Sequence, residues 1–192
     1  MTFSDARGAM EYAAFGSVDL EALRWLRTTP TALEFHLLAG DATLASLAGS
    51  KPHGSLALAE TRESQWTIKR IGFLHPHVTV RRTGESKDLA RLSNHMSHHR
   101  IELAGGATYD LKRAGLLVPA WQLFSKTGEE LLHIEPVREG RRLDGGTAQV
   151  AAAARNLAEL PLLLVLTWYF IVLAWSEDEA VSEWTDHVES RF

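Results

Sequence analysis

Five histidines stand in two short runs, His75 and His77 in "HPH", and His95, His98 and His99 in "NHMSHHR". Three or four imidazoles brought together would hold a metal such as zinc or nickel. On an extended strand, residues two or four apart share a face. That spacing predicts His95 with His99, His75 with His77, and His98 on the opposite side. Against metal chemistry, the chain has no cysteine, and no carboxylate stands at a diagnostic interval. The spacing also lacks the helical pairing of an H-E-x-x-H motif. Histidines clustered only by composition read as surface or loop residues, so neither a metal nor a cofactor is expected.

The other available chemistry is electrostatic. The net charge of −4 is unevenly spread: residues 66–142 carry 13 Lys/Arg against 8 Asp/Glu, and residues 143–192 carry 2 against 8. A basic middle permits anionic partners, and pairing between the two regions accounts for the asymmetry equally well. Nucleic acid is disfavoured by the overall negative charge and by aromatic residues dispersed at strand spacing. The stretch "GSKPHGS" at 49–55 lacks the G-K-[ST] ending of a phosphate loop and reads as a turn between strands. There is no G-x-S-x-G elbow, no dinucleotide fingerprint and no recognisable carboxylate pair. The expectation is a protein that is not an enzyme.

The elements that would position these residues are mostly strands. From about residue 31 to 150, short segments alternate apolar and polar residues. Leu33, Phe35 and Leu37 share one face, Leu56 and Leu58 another, then Trp66 with Ile68 and Val78 with Val80. Two hairpins are legible. Ile101 and Leu103 lead through Gly105 and Gly106 to Ala107, Tyr109 and Leu111, and Trp121 and Leu123 lead through Gly128 to Leu132 and Ile134. Alternation with period two and glycine-bearing turns predicts antiparallel strands in series, a barrel or sandwich. Residues 19–27 fit a short helix or an opening strand around Trp25 equally well. After a break at Gly145 and Gly146, residues 147–150 read as a last strand.

The stretch "LPLLLVLTWYFIVLAW", residues 160–175, carries no charge. As a helix its 16 residues reach about 24 Å, against a hydrocarbon core of about 30 Å. A helix apolar on every side needs burial in lipid or in protein. Trp168, Tyr169 and Phe170 sit in its middle, whereas a membrane span favours Trp and Tyr near its ends. The half-apolar strands that precede it need their inner faces covered. A closed sheet around the helix solves both burial problems and leaves no free edge. Beyond Trp175 the acidic "SEDEAVSEWTDHVESRF" begins with a cap-like Ser176 and places Val181, Trp184, Val188 and Phe192 at helical spacing, which suits a second, amphipathic helix.

With "QWTIKRIGFLHPHVTVRR" early, "AWQLFSKTGEELLHIEPV" later and the apolar stretch near the end, the chain resembles the tubby-like superfamily, which includes LURP-one-related proteins and the phospholipid scramblases. The resemblance covers residues 25–175 and rests on element order, Trp66, Trp121, Gly128 and the helix. It implies a mainly β fold, a closed antiparallel barrel of about twelve strands enclosing one hydrophobic C-terminal helix. The acidic stretch after Trp175 departs from the family pattern, in which the chain ends soon after the helix.

The expected organisation is an N-terminal extension over residues 1–20, a barrel over 21–175 with its central helix at about 151–175, and an acidic tail over 176–192. The resemblance further implies a non-enzymatic domain binding an anionic phospholipid, or another ligand or protein partner, on its surface. The local candidates for an anionic headgroup are Lys69, Arg70, Arg81, Arg82 and Arg100. Adjacent cations on a strand point to opposite faces, so each pair offers one outward group. The absence of cysteine suits a reducing cytosol, and no secretory leader is evident in "MTFSDARGAMEYAAFGSV". A cytoplasmic protein, peripheral to a membrane, is expected. The alternative is a membrane-anchored protein with residues 157–175 spanning the bilayer.

Overall fold

Alternation along the chain becomes a single meander of twelve strands that closes on itself. The computed structural model describes residues 10–49, 55–72, 74, 76–95, 98–115, 119–140 and 142–189, with the side chains of the final helix described as far as Ser176. The strands are β1 (Leu23–Arg27), β2 (Glu34–Ala39), β3 (Ala42–Gly49), β4 (Leu56–Thr61), β5 (Gln65–Ile71) and β6 (His77–Arg82). They continue as β7 (Asp88–His95), β8 (His98–Leu103), β9 (Thr108–Ala114), β10 (Ala120–Ser125), β11 (Glu130–Glu139) and β12 (Arg142–Val150), and one helix, α1 (Leu160–Glu189), follows. Each strand is antiparallel to its sequence neighbours. β1 closes the barrel on β12, with Leu23 opposite Ala148 and Leu26 opposite Gly145, so the closed sheet has no edge to protect.

The core is the inward half of each alternation plus the helix. Trp25, Phe35, Leu37, Ile68, Val80, Ile101, Leu111, Leu123 and Ile134 are buried on the strands. Leu163, Leu164, Val165, Leu166 and Trp168 are fully buried on all sides of α1. The uncharged stretch is therefore enclosed by the strands. No described helix is long and apolar enough to cross a membrane. Gly128 turns the β10–β11 hairpin at φ 84°, a conformation that costs glycine nothing.

Several expectations change in detail. Within residues 19–27, Leu23–Arg27 form strand β1 around Trp25, and no helix is present there. Within residues 10–20, Tyr12 and Ala13 bond to β3, Ala13 N–H donating to Thr43 O at 2.8 Å and the Tyr12 and Ser46 hydroxyls pairing at 2.7 Å, and Phe15 and Leu20 are buried. On β4 the period is right, but the buried pair is Ala57 and Ala59, while Leu58 is exposed. The reason is space. α1 runs closest to β3 and β4, where Ala45, Ala57 and Ala59 leave room for it.

Gly145 and Gly146 lie within β12 instead of breaking it, because neighbours crowd both positions. A Cβ on Gly145 would lie 2.2 Å from Trp25 O, and one on Gly146 2.8 Å from Trp168 Cζ3. The helix starts at Leu160, not near residue 151; residues 152–154 form a short 3₁₀ turn. Pro161, which has no N–H to donate, fits the first turn of the helix. The helix then continues past residue 175 without a second start, since no glycine or proline interrupts residues 162–189. Ser176 does not cap a new helix; its Oγ donates back to Val172 O at 2.9 Å.

Because all connections are hairpins, the barrel has two distinct rims. The helix begins at a proximal rim, which carries the β8–β9 and β10–β11 turns, and leaves at a distal rim, where β5–β6, β7–β8 and β9–β10 connect.

Candidate functional site

With α1 pressed toward β3 and β4, space remains on its other side. A cavity of ≈ 260 Å³ lies at the distal rim between α1 and the β5–β10 wall. Period-two alternation decides what lines it. Trp66 and Ile68 are buried on β5, so Arg70 is the next inward residue, and Tyr109 and Leu111 on β9 likewise lead to Arg113. On β8, Ile101 is fully buried, so His99 is the inward residue nearest the rim. The apolar wall is Trp121 of β10 and Phe170 of α1, edge to face with centroids 5.1 Å apart, continued by Leu173 and Trp175.

His99 sits between these aromatics, its ring centroid 4.2 Å from Phe170 and 5.9 Å from Trp121. Its Nδ1 is enclosed without a hydrogen-bond partner among the described residues. Burial lowers its pKa below the usual 6.5, and the neighbouring His98 and His95 lower it further. That direction favours the neutral ring.

The distal half of the β5–β10 wall is basic. Among the described residues there, Lys69, Arg70, Arg100, Lys112 and Arg113 are set against one carboxylate, Asp110. Asp110 accepts from Arg100 Nε at 2.9 Å and approaches His98 Nε2 at 3.4 Å. The Arg100 hydrogen bond holds its carboxyl below the usual range. Lys112 lies over the Phe124 ring, 4.9 Å from its centroid.

The five cations named from the sequence do not form one site. Lys69 points outward and Arg70 inward, as strand geometry requires of neighbours. Arg81 is outward and paired with Asp88 at 2.6 Å. Arg100 is outward and paired with Asp110. Arg82 lies at the opposite end, lining a ≈ 590 Å³ hollow at the proximal rim with Trp66 and Glu159. Only Arg70 lines the distal cavity, and its partner there is Arg113, which the sequence reading missed. The signal was present: extending the inward alternation of Tyr109 and Leu111 by two residues reaches Arg113.

The histidines separate in the same way. His95 and His98 do not follow one strand; they face each other across the β7–β8 hairpin, with rings stacked at 5.2 Å. His99 therefore faces inward, away from both. His75 and residues 50–54 of the "GSKPHGS" stretch lie outside the described residues. Among the described residues no group of three or more histidine and carboxylate side chains is placed to hold a metal ion.

At the proximal rim, Tyr109 hydroxyl donates to Glu159 Oε1, tying β9 to the residue that precedes α1. Burial raises the Tyr109 pKa, and the Glu159 acceptor raises it further. The chain matches no known protein family, no curated protein and no solved structure.

Proposed function

We propose that this chain is a non-enzymatic binding module of tubby-like architecture, which captures an anionic amphiphile at its distal rim, with anionic phospholipid as the bulk source. The observation that carries the reading is the pairing of Arg70 and Arg113 with the Trp121 and Phe170 wall in one cavity. An apolar cleft with a few convergent polar groups is the usual form of a small-ligand site. The surrounding field adds to it: an excess of cations on the distal half of the wall attracts a negative headgroup and weakens with salt. Leu74, on the β5–β6 connection at the same rim, is 82% exposed, an apolar group suited to contact with acyl chains. Twelve strands around one helix fit the architecture that the tubby-like resemblance implies. The alternative, an anchor over residues 157–175, draws no support from the fold, because residues 162–166 and 168 are already buried by the strands.

The test is co-sedimentation with vesicles of phosphatidylcholine alone and with added phosphatidylserine or phosphatidic acid. Binding to the anionic vesicles only, weakened by salt and lost in Arg70→Ala/Arg113→Ala, is expected. Equal binding to neutral vesicles, or a double variant that binds like the wild type, would remove the reading. Arg81→Ala serves as the control, because Arg81 is already paired with Asp88 away from the cavity.

A further inference from the structure

Capture of an anion at the distal rim gives no role to His99 of the cavity lining, and the inference below rests on that capture. His99 is held by Phe170 and Trp121, and its Nδ1 has no hydrogen-bond partner among the described residues. An enclosed ring nitrogen left unpaired is unfavourable, and nitrogens of this kind are satisfied by a ligand or by water.

The groups around His99 decide its charge. His98 and His95 act on it from the outer face, and the cavity it lines also presents Arg70 from β5, His77 from β6, Asn94 from β7 and Arg113 from β9. Among the described side chains, β10 and α1 present Trp121 and Phe170, which carry no charge. Among the described residues, Asp110 is a carboxylate on the neighbouring strand, and Arg100 engages it on the outer face. In this setting a proton on His99 meets burial and positive neighbours. An acid group seated between Arg70 and Arg113 reverses the balance, because an opposite charge within a few ångströms favours the imidazolium.

We propose that His99 takes up one proton from solvent as a ligand's acid group enters, forming an imidazolium–anion pair, and that the cavity thereby selects single-chain acids over neutral amphiphiles. The size of the space sets the chain. The cavity is small, ≈ 260 Å³, and a single medium-chain acid such as octanoate is the probe matched to it.

Calorimetric titration of the full chain with octanoate tests the proposal, run between about pH 6 and about pH 8 in two buffers of different protonation enthalpy. Octanoate stays ionised throughout, as its carboxyl titrates at roughly 4–5. Affinity rises as the pH falls, by up to about tenfold per pH unit where the complex holds the proton and the free protein does not. The two buffers report net proton uptake without any variant. Octan-1-ol shows no such rise. His99→Gln, which keeps a neutral polar side chain, binds octanoate with affinity independent of pH, and His77→Gln retains the wild-type dependence.

Octanoate binding with flat affinity and no proton uptake overturns the role of His99 and leaves anion capture standing. Proton uptake that survives in His99→Gln and is lost in His77→Gln overturns it as well. No saturable octanoate binding at any pH, together with vesicle binding indifferent to Arg70 and Arg113, overturns the capture itself and this proposal with it.

Discussion

Gly146 of β12 and Trp168 of α1 meet so closely that a Cβ on the glycine would lie 2.8 Å from Cζ3 of the indole and 2.8 Å from Glu135 O. The indole has nowhere to go. Trp25 is stacked on it with centroids 5.3 Å apart, and Phe35 presses its edge at 5.4 Å. Gly146→Val therefore destabilises the fold by about 3 kcal/mol, at the upper end of what overpacking costs. Gly105→Ala, in a turn where the added Cβ meets nothing within 4 Å, changes stability by less than about 0.5 kcal/mol. Urea unfolding of both variants checks the contrast, and equal midpoints would place the helix further from β12 than the contact requires.

Leu164 is fully buried inside the barrel. Leu164→Ala costs about 2–5 kcal/mol through lost transfer energy and the cavity left behind. Leu164→Asp strands a charge among apolar side chains and costs about 3–5 kcal/mol or more, enough to unfold a domain of ordinary stability. Deleting residues 157–192 removes the filling altogether and leaves the inner faces of the strands exposed, so the truncated chain does not fold. Circular dichroism and solubility report all three. A folded, soluble truncation is the result the enclosed helix forbids.

Strand positions and the enclosed helix were legible because both signals are local. Period two marks Phe35 and Leu37 or Trp121 and Leu123 without reference to anything distant. What was not legible depends on partners far along the chain. Ala57 and Ala59 face inward, and Leu58 outward, because α1, more than a hundred residues later, lies against β4; hydropathy alone favours the leucine. Gly145 and Gly146 look like a turn until Trp25 and Trp168 arrive beside them. Spacing along a single strand pairs His95 with His99, whereas the hairpin sets His95 opposite His98 and turns His99 to the other face. The candidate site was half legible: Arg70 was named for its charge, while its companion Arg113 needed the alternation of β9 carried two residues further.

The Arg100–Asp110 pair predicts acid behaviour. Arg100 donates to Asp110 at 2.9 Å and holds its pKa below the ordinary 3.8. A carboxyl with a depressed folded pKa contributes stability that is present above the unfolded value and is lost as pH falls through the folded one. Both side chains are partly exposed, so the contribution is small and screened by salt. Asp110→Asn keeps the shape and removes the titration. The stability difference between wild type and variant shrinks as the pH drops below about 4, measured by urea unfolding at low salt. A difference that stays constant into stronger acid contradicts the pairing.

Tyr109 and Glu159 predict the opposite end of the pH scale. The Tyr109 hydroxyl is raised above its ordinary value of 10.0, first by burial and then by the Glu159 acceptor. An acid with a raised folded pKa keeps its proton in the folded state. Its contribution to stability is full below the unfolded value of about 10 and is lost as pH rises through the folded one. Tyr109→Phe preserves the ring packing but leaves Glu159 without its donor, which costs about 1–3 kcal/mol at neutral pH. Other tyrosines and lysines titrate over the same range, so the informative quantity is the difference between wild type and Tyr109→Phe. That difference is constant from about pH 7 to about pH 9 and narrows above about pH 10. Glu159→Gln separates the two causes. The amide oxygen still accepts from the hydroxyl but carries no charge, so part of the alkaline loss remains because burial alone still favours the protonated phenol. Should Tyr109→Phe lose stability with rising pH in parallel with the wild type, the hydroxyl is not buried against Glu159, and β9 is held to the start of α1 by packing alone.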